Sequence, residues 1–241
     1  MYKVVMYSLT ALIVQAFIFS LFKIIPYSIF SLATSFALIL ISSLLVHYLF
    51  KKIYDAPANI ESTYISIFIA FFILAPVTEL QQGIWVVLAS VIMIASKYIV
   101  AYSYRHIFNQ VAFGVFVIGV MGSLSAIWWV GSMYFLPSLL IITLLIKHKI
   151  KRYSLFLSYF IASVITIIAL AMYRDEQIVE LLLQHILSWP LLFLGAFMLT
   201  EPLTTPPTRK TQILYGSVVG VLSSLPYAFH PIYSTPELAL L

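Results

Sequence analysis

The sequence contains no cysteine. That excludes disulfides, thiolate zinc sites and cysteine-ligated iron–sulfur clusters from this chain. Charge is almost as scarce: Asp, Glu, Lys and Arg make up 9% of 241 residues, with 8 acids against 13 bases. An ordinary soluble domain carries about 25% charged residues, so water is a poor solvent for this chain. No nucleotide-binding glycine fingerprint, P-loop or zinc-protease motif is present. The histidines are His47, His106, His148, His185 and His230, and no predicted span holds two of them, which leaves paired axial haem ligands without support. No metal-ligating cluster and no catalytic residue are assigned from the sequence. Neither a 20–50-residue repeat nor a low-complexity tail is evident.

Apolar residues are what the chain has in abundance, at 63% with a mean hydropathy of +1.07. They fall in runs long enough for spanning helices of about 20 residues each, and the runs do not alternate as barrel strands would. The expected fold is therefore all-α, a polytopic transmembrane bundle in a lipid bilayer. About nine spans are predicted, over 4–22, 27–50, 63–80, 82–100, 111–130, 133–147, 153–173, 182–200 and 213–229. The first begins with a lysine and an apolar run, as a signal peptide would, but the run is long and lacks a small-residue cleavage site.

The net charge of +5 is explained by topology and calls for no nucleic-acid partner. With these spans, eleven of the thirteen Lys and Arg fall on one side, and only Lys23 and Arg174 on the other. The positive-inside bias makes the N-terminus and the loops at 51–62, 97–110, 147–152 and 201–212 cytoplasmic. At the far end, Thr235-Pro236 is a helix-start signal followed by a few apolar residues. It reads as a tenth span cut short, so residues 1–241 are expected to form a single transmembrane domain of a longer chain.

Chemistry is concentrated in cytoplasmic loops. The polar stretch from Thr200 to Gln212 holds five threonines and three prolines in an otherwise apolar region. Proline denies it helical bonding while hydroxyls remain to donate and accept. Within it Glu201 is a carboxylate at a helix C-terminus, an unfavourable place that calls for a partner or a purpose, Arg209 and Lys210 being the simple partners. The loop with Arg105, His106, Asn109 and Gln110 sits where a helix begins, and a helix N-terminus favours anions. The plain alternative makes Arg105 a membrane-side anchor and Asn109 a cap. Glu61 and Ser62 are accounted for by capping and dipole, Glu79 by hydration at the outer interface. Gly114, Gly119 and Gly122 read first as a packing face, and Trp128-Trp129 as an interface belt.

Three stretches together resemble the family of membrane subunits B of the sodium-pumping NADH:quinone oxidoreductase and D of the Rnf electron-transport complex (NqrB/RnfD). His106-Ile107-Phe108-Asn109-Gln110-Val111-Ala112-Phe113-Gly114 is similar to the family's pattern of histidine, isoleucine, phenylalanine, asparagine, proline and alanines ending in glycine, with Gln110 in the proline's place. Thr200-Glu201-Pro202-Leu203-Thr204-Thr205 resembles its threonine-aspartate-proline turn, with Glu201 for aspartate. Tyr215-Gly216 and Gly220 match the glycine-spaced helix that follows, and Asn59-Ile60-Glu61-Ser62 with Leu74-Ala75-Pro76 is a looser third landmark.

The resemblance implies a multi-pass protein of the bacterial plasma membrane that carries flavin and passes electrons, in the large complexes coupled to ion movement. Its implied partners are a cytoplasmic flavin or NAD(P)H reductase domain or subunit, other electron-transport subunits, and quinone. The family's serine-glycine-alanine-threonine flavin-attachment motif is missing, and Gly122-Ser123-Leu124-Ser125 does not replace it. The cofactor expected is thus FMN or riboflavin held non-covalently by Arg105, His106, Asn109, Gly114, Thr200, Glu201, Thr204 and Thr205. The competing expectation is a cofactor-free membrane anchor or scaffold, or a small-solute or ion permease.

Overall fold

The computed structural model describes residues 2–55, 59–102, 105–121, 126–188, 191–201, 205–225 and 236–241. The chain is all-α. Its helices are α1 (Tyr2–Leu21), α2 (Ile29–Tyr54), α3 (Ile60–Ile73), α4 (Leu80–Ile99), α5 (Gln110–Val120), α6 (Leu136–Ile150), α7 (Tyr153–Arg174), α8 (Ile178–Ser188), α9 (Leu191–Phe193) and α10 (Arg209–Ser224). α9 runs straight on into a π-helical turn, Leu194–Met198, and a 3₁₀ turn covers Pro236–Leu240. α1, α2, α4 and α7 are long and apolar enough to cross a membrane, and α3 and α5 are shorter apolar helices. This is a polytopic helical membrane protein. Every predicted span has a helix in it, the eighth being shared by α8 and the α9–π-turn segment. The Pro236 start signal produces only the 3₁₀ turn.

Contacts divide the chain into two compact units, Met1–Trp129 and Val130–Leu241. In the first, α2 and α4 run parallel. Their N-terminal ends meet where Ser31 Oγ donates to Val77 O (2.6 Å) and Val77 N donates to Ser35 Oγ (2.7 Å). Their C-terminal ends meet where the Tyr98 hydroxyl reaches His47 Nδ1 (2.8 Å). α3 returns between them, and α5 packs antiparallel on α4.

Two predicted spans are discontinuous. α3 stops at Ile73, and Leu74 is already extended (ψ 146°). Pro76 lies three residues on, and a proline disfavours helical backbone in the residue before it. The chain around 126–129 satisfies the freed carbonyls: Leu74 bridges Ala126 antiparallel, Ile127 N (3.0 Å) and Trp128 N (3.2 Å) donate to Ile73 O, and Trp129 Nε1 donates to Phe71 O (2.8 Å). The fourteen residues of α3 and eleven of α5 give helices of about 21 and 16 Å, against a hydrocarbon core of about 30 Å.

The tryptophan pair corrects the expectation of an interface belt. Trp128 and Trp129 are 4% and 7% exposed, with Trp129 packed on Phe71, Phe72 and Tyr27. An indole whose N–H finds a freed carbonyl has no need of the interface.

The second unit has the same internal plan. α7 and α10 run parallel, since Ser154 meets Gln212 (3.4 Å) at their N-terminal ends and Ser163 Oγ donates to Gly220 O (3.1 Å) further along. α8 and α9 come between them in sequence, as α3 does between α2 and α4.

Candidate functional site

In the first unit the C-terminal ends of α2 and α4 and the N-terminal ends of α3 and α5 converge. Capping side chains explain why two helices start here. Asn59 Oδ1 accepts from Glu61 N (2.8 Å) to open α3, and Asn109 Oδ1 accepts from Val111 N and Ala112 N (both 3.1 Å) to open α5. Between the ends of α4 and α5 the chain turns through a two-residue antiparallel ribbon, β1 (Ala101–Tyr102) with β2 (Arg105–His106).

Two buried polar networks occupy this end. Lys97 Nζ donates to Asn59 O (3.2 Å) and to Thr63 Oγ1 (3.1 Å), and the Thr63 hydroxyl lies 2.9 Å from His47 Nδ1. The Tyr98 hydroxyl shares that nitrogen and also reaches His47 O (3.3 Å). Nδ1 is thus the shared centre of the two hydroxyls, with His47 O a second acceptor within reach of Tyr98. Alongside, Gln110 Nε2 donates to Ser66 Oγ and, at 3.4 Å, to Ser62 Oγ. Gln110 is 3% exposed, yet its Oε1 has no hydrogen-bond partner. A buried acceptor left so is costly, about 1–3 kcal/mol, and fits a donor brought by a ligand.

Removing the shared acceptor has a predictable cost. His47→Leu leaves the Thr63 and Tyr98 hydroxyls without it, and stability is expected to fall by about 2 kcal/mol, with His47→Gln intermediate. Thermal unfolding of the detergent-solubilised protein measures this, and an unchanged midpoint for His47→Leu would show the network to be dispensable.

Of the sequence-predicted site residues in this unit, Arg105 pairs with Tyr102 through the backbone, and its side chain lies outside the described set. His106 is buried beside it. Asn109 is a cap. Gly114 faces α4, where an added Cβ would come within 2.7 Å of Met93 Cβ and 2.9 Å of Ala89 O. It is a close-approach glycine of a helix pair.

In the second unit the predicted turn is tied down by its own backbone. Thr200 Oγ1 donates to Ala196 O (2.6 Å), Thr205 Oγ1 to Leu199 O (3.3 Å) and to Glu201 O, and Thr205 N to Glu201 O (3.2 Å). Thr200 and Thr205 are buried and Glu201 is half-buried. Thr204 lies outside the described residues, as do Pro202, Leu203 and the 122–125 stretch.

Just before this turn lies a feature the sequence did not announce. Lys147, at 2% exposure, donates from Nζ to Gly195 O (2.7 Å) in the π-helical turn and stands 4.5 Å from the centroid of the Phe156 ring. π-helical turns are often found at functional sites. Among the described residues no group of three or more His, Asp or Glu is placed to hold a metal.

Apolar helices of spanning length, with shorter apolar helices among them, define a polytopic helical membrane protein. Residues 110–234, just over half of the chain, match the model of the NQR2, RnfD, RnfE family. The chain belongs to that family and is a multi-pass membrane subunit of the Nqr/Rnf type. The match takes in Gly114 and the Thr200–Thr205 turn and begins just after Asn109. No curated protein sequence matches the chain.

Proposed function

We propose that this chain is the membrane part of a flavin-linked electron-transfer oxidoreductase. In this reading it takes electrons from a cytoplasmic flavin or NAD(P)H reductase domain or subunit and passes them to a membrane acceptor such as quinone, within a complex that couples the transfer to ion movement. The observation that carries the reading is the family match across residues 110–234. The cofactor is FMN or riboflavin, held without a covalent bond because the attachment motif is absent.

The first unit offers chemistry that suits it. The orphaned Gln110 Oε1 is a buried acceptor for an imide N–H, and Lys97, at the same end of the unit, supplies positive charge. When bound, the flavin would accept and release electrons; the side chains of this chain would bind and orient it. The Arg105–Gly114 cluster and the Thr200–Thr205 turn are separate contributors, each tested by itself.

Asn109→Asp keeps a capping oxygen and Gln110→Leu keeps the side-chain volume. Both, and Thr204→Ala, are expected to lower flavin occupancy about tenfold, an effect of about 1.4 kcal/mol, while thermal stability changes little. Acid-extract fluorescence of the purified protein, with a denaturing gel for covalent flavin, is the readout. Full occupancy in all three variants would remove the site.

A second reading is a cofactor-free anchor or a small-solute or ion permease. The interruption of α3 at Ile73 and of α5 at Val120 favours the permease, because broken apolar helices are a device of transporters. Folded protein with no extractable flavin would favour this reading over the first.

A further inference from the structure

In the first unit α1 has α3 as its main neighbour, with Phe17 stacked on Phe71, and it buries Leu9, Leu12, Ala16 and Ser20. A different stripe of the same helix is left open. Val4, Ser8, Ala11, Gln15 and Ile18 follow one another at alternating steps of four and three residues, the spacing of a helix that pairs lengthwise with another. Ala11 and Ile18 are exposed, and Val4, Ser8 and Gln15 are half-buried.

Gln15 is out of place on a stripe that meets only lipid. It lies six residues inside the end of α1 at Leu21, about 9 Å at the helical rise, within a hydrocarbon layer about 30 Å thick. Among the described residues no group hydrogen-bonds its amide. Hydrocarbon offers neither donor nor acceptor, so an amide facing it is strongly unfavourable. The stripe calls for a cover that brings a hydrogen-bonding group to this depth.

Three features fit a second copy of this chain as that cover. Copies of one chain insert in the same orientation, so a two-fold axis along the membrane normal sets each α1 residue against its own equivalent at equal depth. Gln15 then meets the partner's Gln15, and a primary amide, with two donors and an acceptor, completes two hydrogen bonds with its own image. No charge meets itself across the axis: the stripe has no ionisable side chain, and Lys3 is one residue from Val4, about 100° round the helix. Ser8 and Ala11 are small, which lets two backbones approach closely.

We propose that the chain forms a two-fold dimer through parallel α1 helices, packed along the stripe from Val4 to Ile18 and joined within the bilayer by reciprocal Gln15 amide bonds. The interface is independent of any flavin.

A chain without cysteine makes the test direct. Ser8→Cys, Ala11→Cys, Ile18→Cys and, on another side of α1, the exposed Thr10→Cys are introduced singly into the full chain. Each variant is oxidised with copper phenanthroline in the membranes of the expressing cell and resolved on a non-reducing gel. A product of twice the chain's mass is expected at positions 8, 11 and 18 and not at 10. In lipid vesicles, resonance energy transfer between labelled copies then reports the dissociation constant. Gln15→Leu is expected to raise it about tenfold, the effect of one or two hydrogen bonds between helices, and Gln15→Asn to raise it less. Gln15→Leu removes no bond within the chain, so its circular dichroism is expected to match wild type. Cross-linking at position 10 equal to that at 11 overturns the proposal, since it marks random collision, and so does the lack of any cross-linked product. A product of another mass overturns it in favour of a different membrane protein on the stripe. An unchanged dissociation constant in Gln15→Leu overturns the amide pair.

Discussion

Gly220→Leu is expected to yield no folded protein, and Gly220→Ala to lower stability by about 3 kcal/mol, the upper part of the usual overpacking range. A Cβ at this position would collide with Tyr159 O and approach Ala162 Cβ to 2.9 Å and Ser163 N to 3.1 Å. Two of those three are backbone atoms of α7, which cannot rotate away. Gly216, one turn earlier, has the same difficulty, with its added Cβ on Ser158 Oγ and 2.5 Å from Leu155 O. The two glycines let α7 and α10 approach backbone to backbone, and Ser163 Oγ and Ser224 Oγ then both donate to Gly220 O (3.1 and 2.9 Å). In a bilayer, where lipid is as apolar as leucine, such close packing is a main source of helix association. Gly83→Ala is the control. Its Cβ would meet only Leu38 Cδ1 at 3.4 Å and Val77 Cγ1 at 3.7 Å, and it is expected to change stability by less than about 0.5 kcal/mol. The apparent midpoints of the two alanine variants in one detergent decide the matter, and a Gly220→Ala midpoint equal to that of Gly83→Ala would refute it.

The class of this protein was legible because composition alone enforces it: with 9% charge there is too little polar surface for a soluble fold. The helices were legible as apolar runs, but their ends were not, because hydropathy does not distinguish a helix from extended chain in an apolar surrounding. α3 stops at Ile73 although the apolar run continues, and only Pro76 signalled it. Asn109 as a cap was readable from its place before an apolar run. The His47 network was not, since its partners Thr63 and Tyr98 lie 16 and 51 residues away and no local spacing joins them. The threonines of the 200–205 turn were visible as unspent hydroxyls, yet Thr200 and Thr205 spend theirs on carbonyls of their own turn, a choice set by backbone geometry.

Lys147 was the least legible of all, standing first in the stretch 147–152, whose four Lys and Arg read together as a membrane-side anchor. The expected order of stability at this position is Lys, then Met, then Ala, with Glu unfolded. Methionine keeps a flexible apolar stem over Phe156 and loses the bond to Gly195 O. A hydrogen bond to a charged group contributes about 1.5–3 kcal/mol, but burying an ammonium is itself unfavourable, so the net loss in Lys147→Met is about 1 kcal/mol. Alanine loses the stem as well, and truncation of a buried methionine-sized chain costs about 2–5 kcal/mol, which places Lys147→Ala near 4 kcal/mol below wild type. Glutamate sets a carboxylate against a carbonyl oxygen and the negative face of an aromatic ring, with no donor in place of Nζ. Unfolding midpoints of the Met and Ala variants, and the yield of monodisperse Glu variant, measure the series. If Met proves as damaging as Ala, the charge-to-carbonyl bond holds the π-helical turn. If Met equals wild type, the stem does, and the turn's geometry comes from packing on Phe156 alone.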